Sequence, residues 1–451
     1  MVWKMTMPPA PSSTISLNVV IVGGGIAGLS TAYCLGRAGH HVTVIEQTPW
    51  LEEVGAGIQL APNASRLLMR WGLALSLEEL GVRPESASFN RFQNDHKIGF
   101  NFIGEHVRAE HGAPYYHIHR ADLVRLLHEL GKRYTTIKQG KVVEVLSGVS
   151  LSQSPSVVLE TGEIITADMI IGADGVKSTV RKYVVDGGDV TISTGDMAFR
   201  ATIPSEKMEG DEDLRSLFDT TQVICWMGPG KHIVGYFVRN KQLYNLVMIR
   251  PDIESEESWT TAGTKEEIRN TFQGWNSRVS KLVGLADGVK KSKLVVRAPL
   301  HTWVDQSGRL TLIGDSCHAM LPYLAQGAAM AIEDAAVLGC LFSQISDKSQ
   351  IMEMLKGYEE LRMPRTTATQ QASQANQGRF HLPDGPLQQA RDTAMMEAMQ
   401  ITLLNESRLG DHAISGNQSI VLDHSKKLAA LQFDYDAEAE AQKWLGSRGN
   451  L

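Results

Sequence analysis

The run Gly23-Gly24-Gly25-Ile26-Ala27-Gly28 has the G-x-G-x-x-G spacing, and that spacing suits the cradling of a pyrophosphate. Gly23 permits a tight turn, Gly25 lets backbone approach the phosphates, and Gly28 lets a helix pack closely on a strand. A helix starting there adds free N–H groups and partial positive charge. Glu46 lies 23 residues after Gly23, where an acid binds a ribose diol and disfavours a 2′-phosphate. The nucleotide is then NAD- or FAD-like; for the glycines alone, a purely structural turn is the alternative.

These residues need elements to hold them. Leu17–Val22 is a short apolar run that stops at the glycines and reads as a buried parallel strand. Ile26 to Gly36 reads as a helix ended by Gly39, and His41–Glu46 as a second strand, together a βαβ unit opening a doubly wound sheet. Further strands are expected at Lys141–Val145, Ala167–Ile171 and Arg309–Ile313. Between about 190 and 300, segments such as His232–Val238 and Leu243–Ile249 are β-branched and aromatic without long helices between them. They predict a separate, largely antiparallel sheet. After Gly327 the pattern is helical, at Met330–Leu341 and Ile351–Met363, with Thr366–Gly378 as a polar, solvated helix.

The 451 residues allow two or three domains, and 43% hydrophobic with 21% charged residues excludes disordered and fibrous classes. A net charge of −6 leaves no basic excess for a nucleic-acid partner. Cys34, Cys225, Cys317 and Cys340 form no C-x-x-C pair, which favours a reducing, cytoplasmic setting. No run of 18 apolar residues predicts a spanning helix, and Met1–Ser16 reads as a disordered leader.

A flavoprotein disulfide reductase would need a second fingerprint and a redox cysteine pair, and neither is present. An NAD dehydrogenase remains, or an FAD enzyme that meets its reductant transiently. Asp174, in Gly172-Ala173-Asp174-Gly175, and Asp315, after Gly314, each follow a predicted parallel strand, where ligands bind open α/β sheets. A carboxylate there accepts hydrogen bonds from ribityl or ribose hydroxyls; either alone serves equally as a helix N-cap. Both together, after the fingerprint, resemble the single-component FAD-dependent aromatic hydroxylases. The chain is similar to their salicylate hydroxylase-like branch, which has the p-hydroxybenzoate hydroxylase fold. The strings Val54–Ala64 (VGAGIQLAPNA), His119–Leu123 (HRADL), Gly172–Arg181 (GADGVKSTVR) and Gly314–Ala335 carry this resemblance, over residues 17 to 365.

The resemblance implies roles residue by residue. Glu46 would hold the adenosine ribose, the Gly55–Gln59 backbone (with Gly57 and Gln59) would line the flavin side, and Arg120 would face the pyrophosphate. Asp315 would bind the ribityl chain or phosphate, and Asp174 and Arg181 would lie near both FAD and the nicotinamide nucleotide. Pro322 and Gln326–Ala329 would lie on the isoalloxazine, with the helix from Gly327 and Ala328 stabilising negative charge on reduced flavin. His232 and Tyr236 are four apart and share one face of a strand, a spacing similar to the His-x-x-x-Tyr of related ring hydroxylases. Such a pair is placed to contact and deprotonate a phenol; the alternative is a core aromatic beside a partly exposed histidine. In the fungal phenol-dearomatising members an arginine matching Arg200, aided by a tyrosine matching Tyr236, pairs with the phenolate; a surface strand arginine is the alternative.

Other residues weigh less. His117 and His119 alternate on a strand without a third ligand, so no metal site is expected. His318 reads as packing near the flavin and Cys317 as no nucleophile. Asp434–Ala441 reads as a solvated helix, and Arg362 and Arg365 as a helix end.

The implied fold is α/β: a Rossmann-like FAD-binding domain (17–85, 110–190 and 295–360), an inserted antiparallel substrate domain (86–109 and 191–294), and a helical C-terminal extension (361–451). The implied activity is an NAD(P)H- and O₂-dependent FAD monooxygenase that hydroxylates a phenol or aromatic acid through a flavin C4a-hydroperoxide, as monomer or homodimer. The alternatives are an epoxidase or dearomatising enzyme of secondary metabolism, and a non-oxygenating FAD reductase or dehydrogenase.

Overall fold

Apolar strands too short to span a helix's length bury both faces in the centre of a parallel sheet. In the computed structural model, which describes residues 13–49, 56–147, 153–185, 191–252, 260–408 and 420–448, Asn18–Val22 is that central strand. The order across the sheet is Leu310–Leu312, Met169–Gly172, Asn18–Val22, His41–Glu46 and Thr135–Gln139, all parallel. The carboxyl ends of the first four strands deliver the fingerprint loop, Glu46, the Gly172–Gly175 loop and Gly314–Asp315 to one edge.

The strand expected at Lys141–Val145 lies outside this sheet. Val142–Leu146 pairs antiparallel with Ser156–Leu159 in a small sheet completed by Ile164–Thr166. The fifth parallel strand is Thr135–Gln139, whose polar sequence TTIKQ gives no apolar run because it is an edge strand half open to water. The leader also ends earlier than expected: the Ser13 N–H donates to the Ala38 carbonyl (3.0 Å) and the Ser16 hydroxyl to the Gly39 carbonyl (2.8 Å). Residues 1–12 lie outside the described residues.

A second sheet has eight strands, in the order Thr260–Ala262, Asp287–Arg297, Thr191–Pro204, Leu243–Pro251, Lys231–Val238, Gln222–Gly228, Ser86–Arg91, Lys97–Phe102. Pairing is antiparallel except between Gln222–Gly228 and Ser86–Arg91. One face buries Phe199, Trp226, Phe237, Leu246 and Met248 under the helices Lys265–Thr271 and Ser277–Leu285. Strand alternation turns Arg200, His232, Tyr236 and Asn245 to the other face. There the two-stranded ribbon of Gly57–Leu60 and Tyr116–His119 meets the sheet.

The C-terminal half departs most from expectation. Thr366–Gly378 is no separate solvated helix: it continues Ile351–Phe380 through Pro364, burying a stripe of Thr366, Thr369 and Ser373. Arg362 and Arg365 therefore sit in mid-helix, facing Glu333 and Asp334 on the core helix Gly327–Phe342. The alanine-rich segment near 440 is packed, not solvated. Asp436 caps the helix Ala437–Gly446, whose Ala437, Ala441 and Trp444 are buried against the core, with Trp444 filling the space that Gly357 leaves open.

Four buried or nearly buried charges cancel at that junction. Arg362 Nη1 lies 2.6 Å from Glu333 Oε2, Arg362 Nε 2.9 Å from Asp334 Oδ1, and Arg365 Nε 2.7 Å from Glu333 Oε2. Burial disfavours the Asp334 carboxylate, but His318 and Arg362 outweigh it and hold the group at about 2. A carboxyl held below its unfolded value of about 3.9 adds stability above that pH and loses it as the pH falls through its folded value. Unfolding free energy should therefore drop between about pH 4 and pH 2, and the drop should shrink in Asp334→Asn. Arg362→Ala, which removes the cation shared by two buried carboxylates, should cost about 3–5 kcal/mol by urea denaturation at pH 7.

Candidate active site

Three glycines of the fingerprint are required for three different reasons. Gly23 has φ +106°, and a Cβ there would fall 2.4 Å from the Ala173 carbonyl oxygen. A Cβ on Gly28 would fall 1.9 Å from the Gly23 carbonyl oxygen, which is the close packing of helix on turn. Gly25 differs: its backbone is extended (φ −75°, ψ −169°) and a Cβ would meet nothing within 4 Å. No feature of the chain itself demands glycine at 25. Open space at the start of the helix Ile26–Arg37 is what a pyrophosphate needs, so the residues present fit a dinucleotide.

The acids around this loop divide by how fully they are occupied. Glu46 accepts from the Gly24 N–H (2.6 Å) and the Thr48 N–H (2.8 Å), one bond on each oxygen, leaving lone pairs for a diol. Asp315 opens the short helix Asp315–His318 after Gly314 and is exposed. Arg120 starts the helix Arg120–Gly131, and its N–H donates to the Ala56 carbonyl (2.9 Å). Burial pushes its guanidinium down, against the opposing influence of Asp315 and Glu46, so these three expected cofactor residues share one neighbourhood. Asp174 does not join them: it caps its own turn, accepting from the Ser178 hydroxyl and from the Thr179 (2.6 Å) and Val180 (3.2 Å) N–H groups. The Arg181 guanidinium is likewise structural, donating to the Ser316 and Val176 carbonyls (2.6 Å each) and stapling two cofactor-side loops together.

Gly327 and Ala328 begin the helix Gly327–Phe342, and a Cβ on Gly327 would meet only Met320, at 3.9 Å. Beneath them Asn63 Nδ2 donates to Gln326 Oε1 (3.0 Å) and Glu333 Oε1 (2.6 Å), anchoring that helix start. Gly57 serves the seam between the two sheets. Its N–H donates to Asn245 Oδ1 (2.7 Å), and a Cβ there would lie 2.6 Å from Tyr236 Cε2. Gly55, expected beside it, lies outside the described residues.

The three residues expected to meet substrate do not all come together. Tyr236 is buried beside Gly57, Gln59 and His117, and Arg200 is close enough to influence its ionisation. Arg200 Nη1 donates to the Ser292 hydroxyl (2.5 Å), and its charged neighbour is a second cation, Arg120; it forms no ion pair among the described residues. His232 shares the face of Tyr236 but sits four residues away, about 13 Å along the strand. Its Nδ1 is 2.8 Å from His381 Nε2, and its ring packs on Tyr323 and Phe380. Burial pushes His232 well below the usual histidine range, with His381 adding to the effect, so the ring is neutral but already committed to its partner. His232 and Tyr236 share the expected face, with His232 bonded to His381 and Tyr236 set beside Gly57.

Sequence reading missed Asn245, Asn63, Tyr115, Asp196 and His381. Asp196 gathers the Tyr323 hydroxyl (2.6 Å) and Gln377 Nε2 (2.7 Å), with His381 Nδ1 at 3.5 Å. The one available signal was the Glu333-Asp334 pair inside an otherwise apolar helix, since buried acids require partners. His117 and His119 belong to no metal cluster among the described residues; His117 packs on Tyr236 instead, 4.4 Å between ring centroids.

A parallel sheet whose loops fit a dinucleotide, faced by a separate eight-stranded sheet, is the architecture of an FAD-binding protein. Residues 16–373 match the family described as FAD binding domain. The FAD-dependent monooxygenase OpS4 of Beauveria bassiana is 36% identical over 85% of this chain and 90% of its own. The 3-amino-4-hydroxybenzoate 2-monooxygenase PtnB3 of Streptomyces platensis is 36% identical over 86% and 95%. A salicylate hydroxylase substrate complex superposes with a TM-score of 0.73 over 96% and 98% of the two chains at 22% identity, a likeness of fold. The chain belongs to the FAD-binding family of FAD-dependent monooxygenases. No helix among the described residues is long and apolar enough to cross a membrane.

Gly25→Val tests the cofactor assignment. Its unfolding free energy without FAD should stay within about 0.5 kcal/mol of the parent. Its dissociation constant for FAD, read by flavin fluorescence, should rise at least about tenfold, because the new side chain enters the phosphate space.

Proposed function

We propose that this monooxygenase uses NAD(P)H and O₂ to hydroxylate a phenol or aromatic acid whose anionic oxygen is received by Arg200 and Tyr236. The observation behind this reading is Arg200 itself. A half-buried guanidinium that hydrogen-bonds one serine hydroxyl, lies near another arginine and has no acid paired with it among the described residues is prepared for a negative charge from outside the chain. Burial pushes the guanidinium pKa down, which an arriving anion would reverse. Tyr236 is pushed up by its own burial and stays protonated, so it would donate to the same oxygen.

FAD, when bound, supplies the redox and oxygen chemistry. The chain's residues do the rest: Glu46, Arg120 and Asp315 would hold the nucleotide, and the N–H groups at Gly327 and Ala328 would favour negative charge on the reduced ring. The seam of Gly57, Tyr236 and Asn245 would close the site against water. In this reading residues 86–109 and 191–294 form the substrate-binding part and 361–451 a helical region that completes the core. His232 is assigned to the His381 clamp instead of to proton removal. The hydroxybenzoate named for PtnB3 supports the aromatic-acid class.

The test is a panel of hydroxybenzoates with NAD(P)H and oxygen-18 gas. One labelled oxygen atom should enter the product. Arg200→Ala should lower kcat/KM by roughly two orders of magnitude, as for loss of a charge-assisted contact, while flavin reduction stays measurable. Tyr236→Phe should cost about tenfold. Unlabelled product would favour the dehydrogenase alternative.

A further inference from the structure

The polar side chains behind Tyr236 are held in one orientation. Gly57 and Gln59 lie on the same face of the strand Gly57–Leu60, and a Cβ at 57 would be 2.8 Å from the Tyr236 hydroxyl oxygen, so this face looks onto the phenol. Gln59 is opposite His117 in the ribbon, and His117 packs on the Tyr236 ring. Tyr115, two residues before His117, donates its hydroxyl to Gln59 Oε1 at 2.7 Å.

We propose that Gln59, fixed by Tyr115, is a positioning residue that orients Tyr236 as a hydrogen-bond donor to the substrate oxygen, a claim that rests on the substrate reading above. A primary amide has two unlike ends. Tyr115 takes the carbonyl end, which leaves the –NH₂ end free on the face that looks onto Tyr236, near enough to favour the ionised form of that phenol. With the –NH₂ end turned that way, the Tyr236 oxygen would be the acceptor on the Gln59 side. Its proton must point elsewhere, and Arg200 has no lone pair to take it. His117 adds no competing charge, since burial brings it down to about 3. The group that completes the arrangement accepts from Tyr236 and Arg200 together: a phenolate or carboxylate oxygen, not an ammonium or a neutral amine.

The experiment places difluorotyrosine at position 236 of the FAD-bound protein and follows its ionisation by fluorine NMR. Gln59→Leu should raise the titration midpoint by roughly half to one pH unit, the worth of one neutral hydrogen bond. Gln59→Glu, whose carboxylate can only accept, should raise it further, and the near-isosteric Tyr115→Phe should raise it by less. A spacer role for Gln59 would not produce that order. Midpoints unchanged in both Gln59→Leu and Tyr115→Phe overturn the proposal. Failure of the underlying substrate reading has its own signature: the midpoint moves with Gln59, yet salicylate binding, read from flavin absorbance, is the same in Tyr236→Phe as in the parent. That outcome removes the donor role towards substrate and leaves only the internal hydrogen bond.

Discussion

Two carboxylates, Glu333 and Asp334, lie fully buried on one helix, and the site can be assembled only because Arg362 and Arg365 neutralise them. Buried charge without a partner costs several kcal/mol, so the helices Gly327–Phe342 and Ile351–Phe380 have little freedom to slide. The same carboxylates reach outward to the cofactor loops. Asp334 Oδ2 accepts from the Gly314 N–H (3.0 Å) and pairs with His318 (2.6 Å), while Glu333 holds Asn63 just after the Gly57–Leu60 strand. Arg365 extends the network to the C-terminal segment, its guanidinium 3.9 Å from the centre of the Tyr435 ring. One cancelled set of charges thus fixes the helix start at Gly327, the Gly314 turn and the strand that faces Tyr236.

The second sheet is held against this frame by polar clamps at two places. At one, Gly57 bonds Asn245, and Arg239 Nε bonds the buried Asp122 (2.7 Å) on the helix that begins with Arg120. At the other, Asp196 collects Tyr323, Gln377 and His381, and His381 holds His232. Arg200 stands on the face between them without an acid of its own among the described residues. A clamped seam would shield such a cation from part of the solvent, which strengthens its attraction for an anion.

What could be read from the sequence was whatever a few neighbouring residues determine. The strands at Asn18–Val22 and His41–Glu46 follow from apolar runs, and Gly23 and Gly28 from the geometry of one turn. The α/β fold with a separate antiparallel sheet was legible in the same way. Partners far apart in the chain were not. His232 and His381 are 149 residues apart, and Arg362 meets acids about 30 residues upstream, so His232 read as a free base and Arg362 as a helix end. Asp174 shows the limit of a motif: its own turn uses the carboxylate. Polar edge strands such as Thr135–Gln139, and alanine-rich helices that pack through small side chains, give too little apolar pattern to be seen.

The central claim is that Arg200 and Tyr236 together receive a substrate oxygen at the seam of the two sheets. A crystal structure of the FAD-bound protein soaked with a hydroxybenzoate tests it most directly. An oxygen of the ligand should lie within about 3.2 Å of both the Arg200 guanidinium and the Tyr236 hydroxyl. A ligand anchored instead by His232, with Arg200 still bonded only to Ser292, would contradict the account.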